Sequence, residues 1–147
     1  MSRVVPVLIL ALAATAAAGA DLPARRALQM GEKAHRAQDF TQAADLFSQA
    51  ARQAATDHLD PAVAHFNHGH ALYRAGKFDE AFGAFALARQ TTDLALQSRA
   101  LYNAATCRMR QVDLAVEMKQ ADYIEPYLAE AQTLYEQALL LAPQDTD

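Results

Sequence analysis

Three histidines lie close together in the run HFNHGH, which begins at His65. Imidazole nitrogens are common ligands of transition metals, so the run raises the question of a metal or haem site. In a helix only His65 and His68 share a face, because they are three residues apart, whereas His70 points away from His68. Two ligands are too few for a structural zinc, which takes four. We therefore expect no metal and no cofactor.

The remaining reactive residues do not form a catalytic pattern. Cys107, the only cysteine, falls among alanines in RALYNAATCRMR, where we expect a small buried hydrophobe rather than a nucleophile. Asp79 and Glu80 fall in a predicted turn. The sequence contains no phosphate-binding glycine loop, no G-x-S-x-G and no H-E-x-x-H. We expect no enzyme activity.

The histidines belong to residues 65–88, whose spacing predicts a helix, a tight turn and a second helix. Small residues and one aromatic stand where the two helices must touch, namely at Gly69, Ala81, Phe85 and Ala88, and Gly76 marks the turn. The spacing resembles the tetratricopeptide (TPR) repeat, a pattern of roughly 34 residues in which such small residues let two helices approach closely. The resemblance implies an all-α fold of antiparallel helical hairpins, stacked as a short right-handed solenoid that binds partners.

Two further repeats follow from the same pattern. Repeat 1 (about 24–57) has its packing residues at Gly31, Ala43 and Phe47, and Gln38 stands where repeat 2 (about 61–92) has Gly76. Repeat 3 (about 94–143) has them at Ala105, Ala131, Tyr135 and Ala138. Asp60 and Asp93 are the predicted N-caps of the helices that open repeats 2 and 3.

Repeat 3 is longer than the others. Ala105 and Ala131 are 26 residues apart where the pattern expects 12, so 14 extra residues lie between the packing positions of its two helices. Residues 112–120 contain neither glycine nor proline, which predicts that the first helix continues by two turns or more. We expect residues 121–125 to turn the chain and Pro126 to lie in the first turn of the last helix.

In TPR proteins the first helix of each hairpin lines a concave groove. The resemblance therefore implies nine partner-binding residues in this groove: Arg36, Phe66, His70, Tyr73, Arg74, Arg99, Tyr102, Met109 and Arg110. Three of these arginines share one repeat position, which predicts a stripe of guanidinium groups beside aromatic side chains. Guanidinium groups bind carboxylates, so we expect an acidic protein or peptide as the partner. The alternative is that the arginines form an ordinary solvated face.

Charge and length limit the classes of partner and of fold. The chain has 147 residues and a formal charge of −4, which argues against nucleic acid or an anionic membrane surface as the main partner. We expect contact with a membrane only through a membrane-bound partner. The length fits one domain, residues 21–147.

The first twenty residues resemble a secretory signal peptide. Arg3 precedes an apolar run over residues 4–18, and Ala18-Gly19-Ala20 supplies the small residues of a cleavage site. Cleavage near Ala20 would change the formal charge from −4 to −5, because the removed segment contains Arg3 and no acidic residue. We expect a periplasmic or secreted protein; the alternative is an uncleaved N-terminal anchor.

Together these features predict an exported, non-catalytic TPR scaffold or adaptor in the assembly of an envelope complex. The phrases GHALYRAGKFDEAFGAF and RALYNAA resemble, more narrowly, the small exported TPR proteins encoded with bacterial aerotolerance proteins and von Willebrand factor A-domain proteins. One alternative is a structural subunit that forms a homo-oligomer through its last helix, which carries Leu139, Leu140 and Leu141 and has no capping helix after it. Another is a metal or haem carrier that uses the histidines.

Overall fold

The computed structural model describes residues 22–142, which form six α-helices and no strands. The helices are α1 (Ala24–Arg36), α2 (Phe40–Ala54), α3 (Ala62–Arg74), α4 (Phe78–Ala88), α5 (Leu94–Glu117) and α6 (Ala121–Leu141). Each helix packs against the next one along the chain, so the hairpins α1/α2, α3/α4 and α5/α6 lie side by side. The predicted all-α class is confirmed. The predicted signal peptide lies outside the described residues.

One type of helix ending recurs four times. After α1, α2, α3 and α5 a single residue adopts a positive φ, and the N–H of the following residue donates to a carbonyl five positions back. The residues with positive φ are Gln38 (62°), His58 (54°), Gly76 (78°) and Lys119 (57°). Gln38 therefore adopts the same left-handed conformation as Gly76, at the equivalent place in the first hairpin.

Aspartates accept from free N–H groups at four helix starts. Asp93 accepts from Ala95 and Leu96 at 3.0 Å, so the predicted N-cap of α5 is confirmed, and Asp39 accepts from Gln42 at the start of α2. Asp60 accepts from the N–H of Ala62 at 2.8 Å, but Pro61 rather than Asp60 is the N-cap residue of α3. The start of α1 is bound differently, because the N–H of Ala24 donates to Oδ2 of Asp57 at 2.6 Å. Asp57 lies in the loop after α2, so this bond ties the loop to the beginning of the first helix.

The third hairpin is elongated, but its turn is not where the sequence predicted it. α5 has 24 residues and continues to Glu117, as expected from the absence of glycine and proline in this region. The prediction of a turn over residues 121–125 is wrong, since Lys119 turns the chain and α6 already begins at Ala121. Pro126 consequently lies in the second turn of α6, where it removes one hydrogen bond without ending the helix.

One apolar core runs through all three hairpins. Its large members include Phe47, Leu72, Phe85, Leu101 and Leu134, and alanines fill most of the space between them. A methyl side chain keeps neighbouring helix backbones close together, so the few large side chains decide where each hairpin contacts the next.

Candidate partner-binding groove

The first helices of the hairpins are positioned by close contacts with the second helices. Gly31 faces Phe47 and Gly69 faces Phe85, and a Cβ built on either glycine would lie 2.7 Å from the Cε1 atom of the opposing ring. That distance is too short for any real side chain, so only glycine allows each aromatic ring to lie against the backbone of the first helix.

The eleven residues predicted to pack the repeats occupy the interior, where ten are buried and Tyr135 is half-buried. They are Gly31, Ala43, Phe47, Gly69, Ala81, Phe85, Ala88, Ala105, Ala131, Tyr135 and Ala138. The hydroxyl of Tyr135 lies 3.2 Å from Oγ1 of Thr106 on α5. This polar contact keeps the third hairpin's aromatic residue nearer to solvent than Phe47 and Phe85.

A first cleft of about 270 Å³ opens between α1 and α3. It is lined by the polar or charged residues Glu32, His35, Arg36, Asn67 and His70 and by the aromatic residue Phe47. Arg36 and Glu32 are 3.9 Å apart and both are exposed, so this ion pair leaves the guanidinium accessible. Of the nine predicted groove residues, Arg36 and His70 lie in this cleft.

A second cleft, of about 350 Å³, lies where the end of α3 and the turn between α3 and α4 meet α5 at Arg110. It is lined by Tyr73, Arg74, Gly76, Phe78 and Arg110. Three predicted groove residues, Tyr73, Arg74 and Arg110, therefore share this site.

The arginines of the predicted stripe have repeated aromatic neighbours. The guanidinium carbon of Arg74 lies 4.9 Å from the centroid of the Phe40 ring, and that of Arg110 lies 5.7 Å from the centroid of Phe78. Phe40 and Phe78 are the first residues of α2 and α4, so each arginine reaches the turn of the preceding hairpin. The cation–π contact helps to hold each side chain in place. The guanidinium of Arg74 belongs to an exposed residue, whereas Nη1 of Arg110 also donates to Oδ2 of Asp113 at 3.0 Å.

The other predicted groove residues form looser contacts. Arg99 lies over the ring of Phe66 at 5.5 Å, and Phe66 in turn packs edge-on against His70 at 4.6 Å. Tyr102 is exposed and packs against Tyr135 with ring centroids 5.1 Å apart. Met109 is half-buried, and neither Met109 nor Tyr102 lines the two clefts. The nine residues thus form neighbouring groups on the first helices rather than a single pocket.

The first cleft contains a histidine whose neutral form is favoured. Burial lowers the pKa of His70, and electrostatic interactions with His35 and Arg99 lower it further. The ring of His70 also packs against Phe85 at 5.3 Å, which accounts for its partial removal from water. A carboxylate entering the cleft would meet Arg36 and would favour the protonated form of His70.

Arg108 is a functional candidate that the sequence analysis missed. Only 15% of its side chain is exposed, and its guanidinium carbon lies 3.6 Å from the centroid of Phe82. Its Nε lies 2.6 Å from a carboxylate oxygen of Glu130, and Nη1 lies 3.6 Å from Asp79. Arg108 therefore joins α4 to both helices of the third hairpin.

A signal for Arg108 was present in the sequence. In the predicted alignment Arg108 is equivalent to Ala34 and Leu72, which are both buried. A charged residue at an otherwise apolar repeat position indicates a buried ion pair, and here the acidic partners come from Asp79 and Glu130.

The histidine run does not converge on one site. His70 lines the first cleft, whereas His68 lines a separate cleft with Asp45 and Glu80 between α2 and α3. Burial lowers the pKa of both His65 and His68. Within residues 22–142 no group of three or more histidine, cysteine, aspartate or glutamate side chains is placed to hold a metal ion.

Cys107 is fully buried in α5, and burial raises the pKa of its thiol to about 12. It is therefore a protonated, apolar core residue at neutral pH.

Comparison with known proteins adds no identification: no family model matches the chain, and no curated protein matches its sequence. The fold defines residues 22–142 as an all-helical unit of three side-by-side hairpins. None of the helices in residues 22–142 is both long enough and apolar enough to cross a membrane.

Proposed function

We propose that this chain is an exported, non-catalytic scaffold of the TPR type that binds an acidic protein or peptide segment along the first helices of its hairpins. The observation that carries the proposal is the repeated pair of contacts in which Arg74 lies over Phe40 and Arg110 lies over Phe78. In both contacts the arginine of one hairpin lies over the first residue of the second helix of the preceding hairpin. Two fixed cations at a regular spacing suit carboxylates that recur along an extended or helical segment.

The apolar part of the same surface supports recognition of a peptide rather than of a small anion. Phe66 and Tyr73 are half-buried beside the arginines, and Tyr102 is exposed. Aromatic side chains provide contact area at little conformational cost, and they are enriched where partners bind. A segment with alternating acidic and apolar side chains would use both features.

The test is capture of a partner from periplasmic extract, with the protein purified from the periplasm of an expressing bacterium as bait. The double variant Arg74→Glu, Arg110→Glu should lose the captured partner, while circular dichroism shows unchanged helicity. The matched control is Arg52→Glu, Arg89→Glu, which changes the charge equally at two exposed arginines outside the groove. Equal capture by both double variants would assign the arginines to a solvated face.

Export is tested on the periplasmic, membrane and cytoplasmic fractions of the same expressing bacterium. Intact mass measurement should find a chain that begins at Asp21, because cleavage after Ala20 removes the predicted signal peptide. A full-length chain recovered with the membrane fraction would instead support the uncleaved anchor. An envelope role requires one of these two results, and a full-length chain in the cytoplasm would contradict it.

A second candidate function is self-association through α6. Leu139 is 72% exposed and Leu140 is 84% exposed, and both lie in the last turn of this helix. Leu140 and Leu141 line a cleft of about 500 Å³ together with residues of α5 and of the segment just after α4. A mass that rises with concentration, and returns to that of one chain in the variant Leu139→Glu, Leu140→Glu, would favour a homo-oligomer over the adaptor.

A further inference from the structure

The third hairpin extends beyond the rest of the fold. α5 and α6 have 24 and 21 residues, whereas α1 to α4 have 11 to 15. On α5, Arg108 forms an ion pair with Asp79 and Gln111 donates a hydrogen bond to the same aspartate, so α4 contacts this hairpin at least as far as Gln111. Among the described helices α6 packs extensively against α5 alone. A pair of helices cannot cover both its faces, so one face needs another element.

A cleft of mixed polarity lies on this extended part. It has a volume of about 230 Å³, and we call it the distal cleft. Its apolar and aromatic lining consists of Leu114 and Ala115 on α5, Met118 just after α5, and Tyr123 and Tyr127 on α6, and its polar lining consists of Asp79, Gln111 and Gln120. Leu114 and Met118 are four positions apart, as are Tyr123 and Tyr127, so each pair lies along one side of the hairpin. Met118 is 64% exposed and Tyr123 is 53% exposed, which is unusual for side chains of this size in neighbouring positions.

The charges beside the distal cleft are mainly negative. The arginines nearby are paired, since Arg108 contacts Glu130 and Arg110 lies 3.0 Å from Asp113. Glu117, Asp122 and Glu125 are exposed and have no ion-pair partner among residues 22–142. Lys119, in the turn, is the one basic residue between Glu117 and Glu125. A ligand of this cleft should therefore bind more tightly if it carries positive charge near the edges of the cleft.

We propose that the distal cleft docks an amphipathic helix of a partner protein that carries lysine or arginine beside its apolar stripe. Apolar side chains of that helix at positions i, i+3 and i+4 would fill the space between the two side-chain pairs of the distal cleft, as a third helix does in a bundle. Its basic side chains would pair with Glu117, Asp122 and Glu125. This surface prefers a charge opposite to that preferred by the arginine groove, so the two sites recognise different segments.

The experiment uses two labelled synthetic helices of about 18 residues, or five turns. Both carry leucine at helical spacing; one has lysine on its remaining faces and the other has glutamate. Fluorescence anisotropy should show binding of the lysine peptide to the full chain, and affinity at least tenfold weaker for the variant Met118→Glu, Tyr123→Glu. These substitutions add negative charge, so only loss of the apolar contact can explain weaker binding of a basic peptide.

Charge is tested separately with Glu117→Gln, Asp122→Asn, Glu125→Gln. This triple variant should weaken binding about tenfold and reduce its dependence on salt. The matched control for the apolar substitutions is Leu139→Glu, Leu140→Glu, which places the same charges on two exposed apolar residues at the other end of α6. The control for the groove is Arg36→Glu, Arg74→Glu. Both controls should bind the lysine peptide as tightly as the unmodified chain.

Several results would overturn the proposal. They are absence of binding by the lysine peptide, equal binding of the glutamate peptide, or equal loss of affinity in either control. A dimer of the unmodified chain that the Met118→Glu, Tyr123→Glu variant abolishes would assign the cleft to a second copy, which also contradicts it. If the variant Met118→Glu, Tyr123→Glu loses helicity, the proposal is tested instead by the variant Glu117→Gln, Asp122→Asn, Glu125→Gln, whose three substitutions are at exposed residues.

Discussion

The ring of Phe85 lies directly against the backbone of Gly69, in space that a Cβ on residue 69 would need. Such a Cβ would lie 2.7 Å from Cε1 of Phe85, and the same relationship holds between Gly31 and Phe47 in the first hairpin. Each contact fixes the distance between the two helices of a hairpin, and so the position of the first helix, which carries the groove residues.

Gly69→Ala should therefore destabilise the protein. A methyl group in this contact forces the Phe85 ring to move, and overpacking of this kind costs about 1–3 kcal/mol. The control is Gly83→Ala, because Gly83 lies within α4 and a Cβ there meets nothing within 4 Å. Alanine at 83 should stabilise the helix by about 0.5–1 kcal/mol. Urea unfolding measures both, and shifts of the same sign would contradict the close contact at Gly69.

Gln38→Gly and Lys119→Gly should each stabilise the fold. Both residues hold a left-handed φ, which costs a residue with a Cβ roughly 1 kcal/mol more than glycine. Gly76→Ala makes the reverse change at the equivalent turn and should destabilise by a similar amount. Thermal unfolding of the three variants tests the left-handed conformation of these turn residues. A lower melting temperature in Gln38→Gly or Lys119→Gly would contradict it.

Arg108→Met should destabilise the protein by about 1–3 kcal/mol, because it leaves the carboxylate of Glu130 without its cation and removes the contact with Phe82. Arg110→Met is the matched control, since Arg110 is exposed and its pair with Asp113 should contribute no more than about 1 kcal/mol. Urea unfolding measures the change in unfolding free energy of each variant. A similar small effect for both would mean that Arg108 does not hold α4 to the third hairpin.

Acidification should destabilise the protein before its carboxylates titrate. Burial holds the pKa of His70 below the ordinary histidine value of 6.5, so the unfolded chain binds more protons than the folded one as the pH falls through that value. The contribution of His70 to stability is therefore present above pH 6.5 and is lost as the pH falls toward the lower folded-state pKa. His70→Leu should reduce the loss of unfolding free energy between pH 7.5 and about 5.5.

His58→Gln is the control for this pH dependence, because His58 is exposed in the loop after α2. It should retain the slope of the unmodified protein. An unchanged slope in His70→Leu would show that protonation of His70 is not linked to folding.

The helical class and the contact positions could be predicted because they depend on local spacing. Gly69, Ala81 and Phe85 recur at intervals that place them on facing sides of two helices, and glycine or alanine there has an evident steric reason. The continuation of α5 followed in the same way from the absence of helix-breaking residues over residues 112–120. Both inferences needed only information within one hairpin.

The turn at Lys119 and the role of Arg108 could not be placed as easily. The sequence drew attention to Pro126 as a helix start, but a proline in the second turn forfeits one hydrogen bond, and the positive φ falls instead on a lysine that carries no turn signal. Arg108 on α5 contacts Asp79 and Phe82 of α4 and Glu130 of α6. The charged residue at an apolar repeat position could be noticed in the sequence, but its partners are visible only after the hairpins are packed together.

The single cysteine also gives the protein an internal probe of its own opening. Cys107 is fully buried in α5, and its thiol is protonated at neutral pH. A thiol reagent can react only in molecules in which α5 has separated from its neighbours, so the rate of labelling would report the frequency of that separation. Since a bound segment on the first helices would hold α5 in place, the same unmodified residue could register occupancy of the groove without any introduced label.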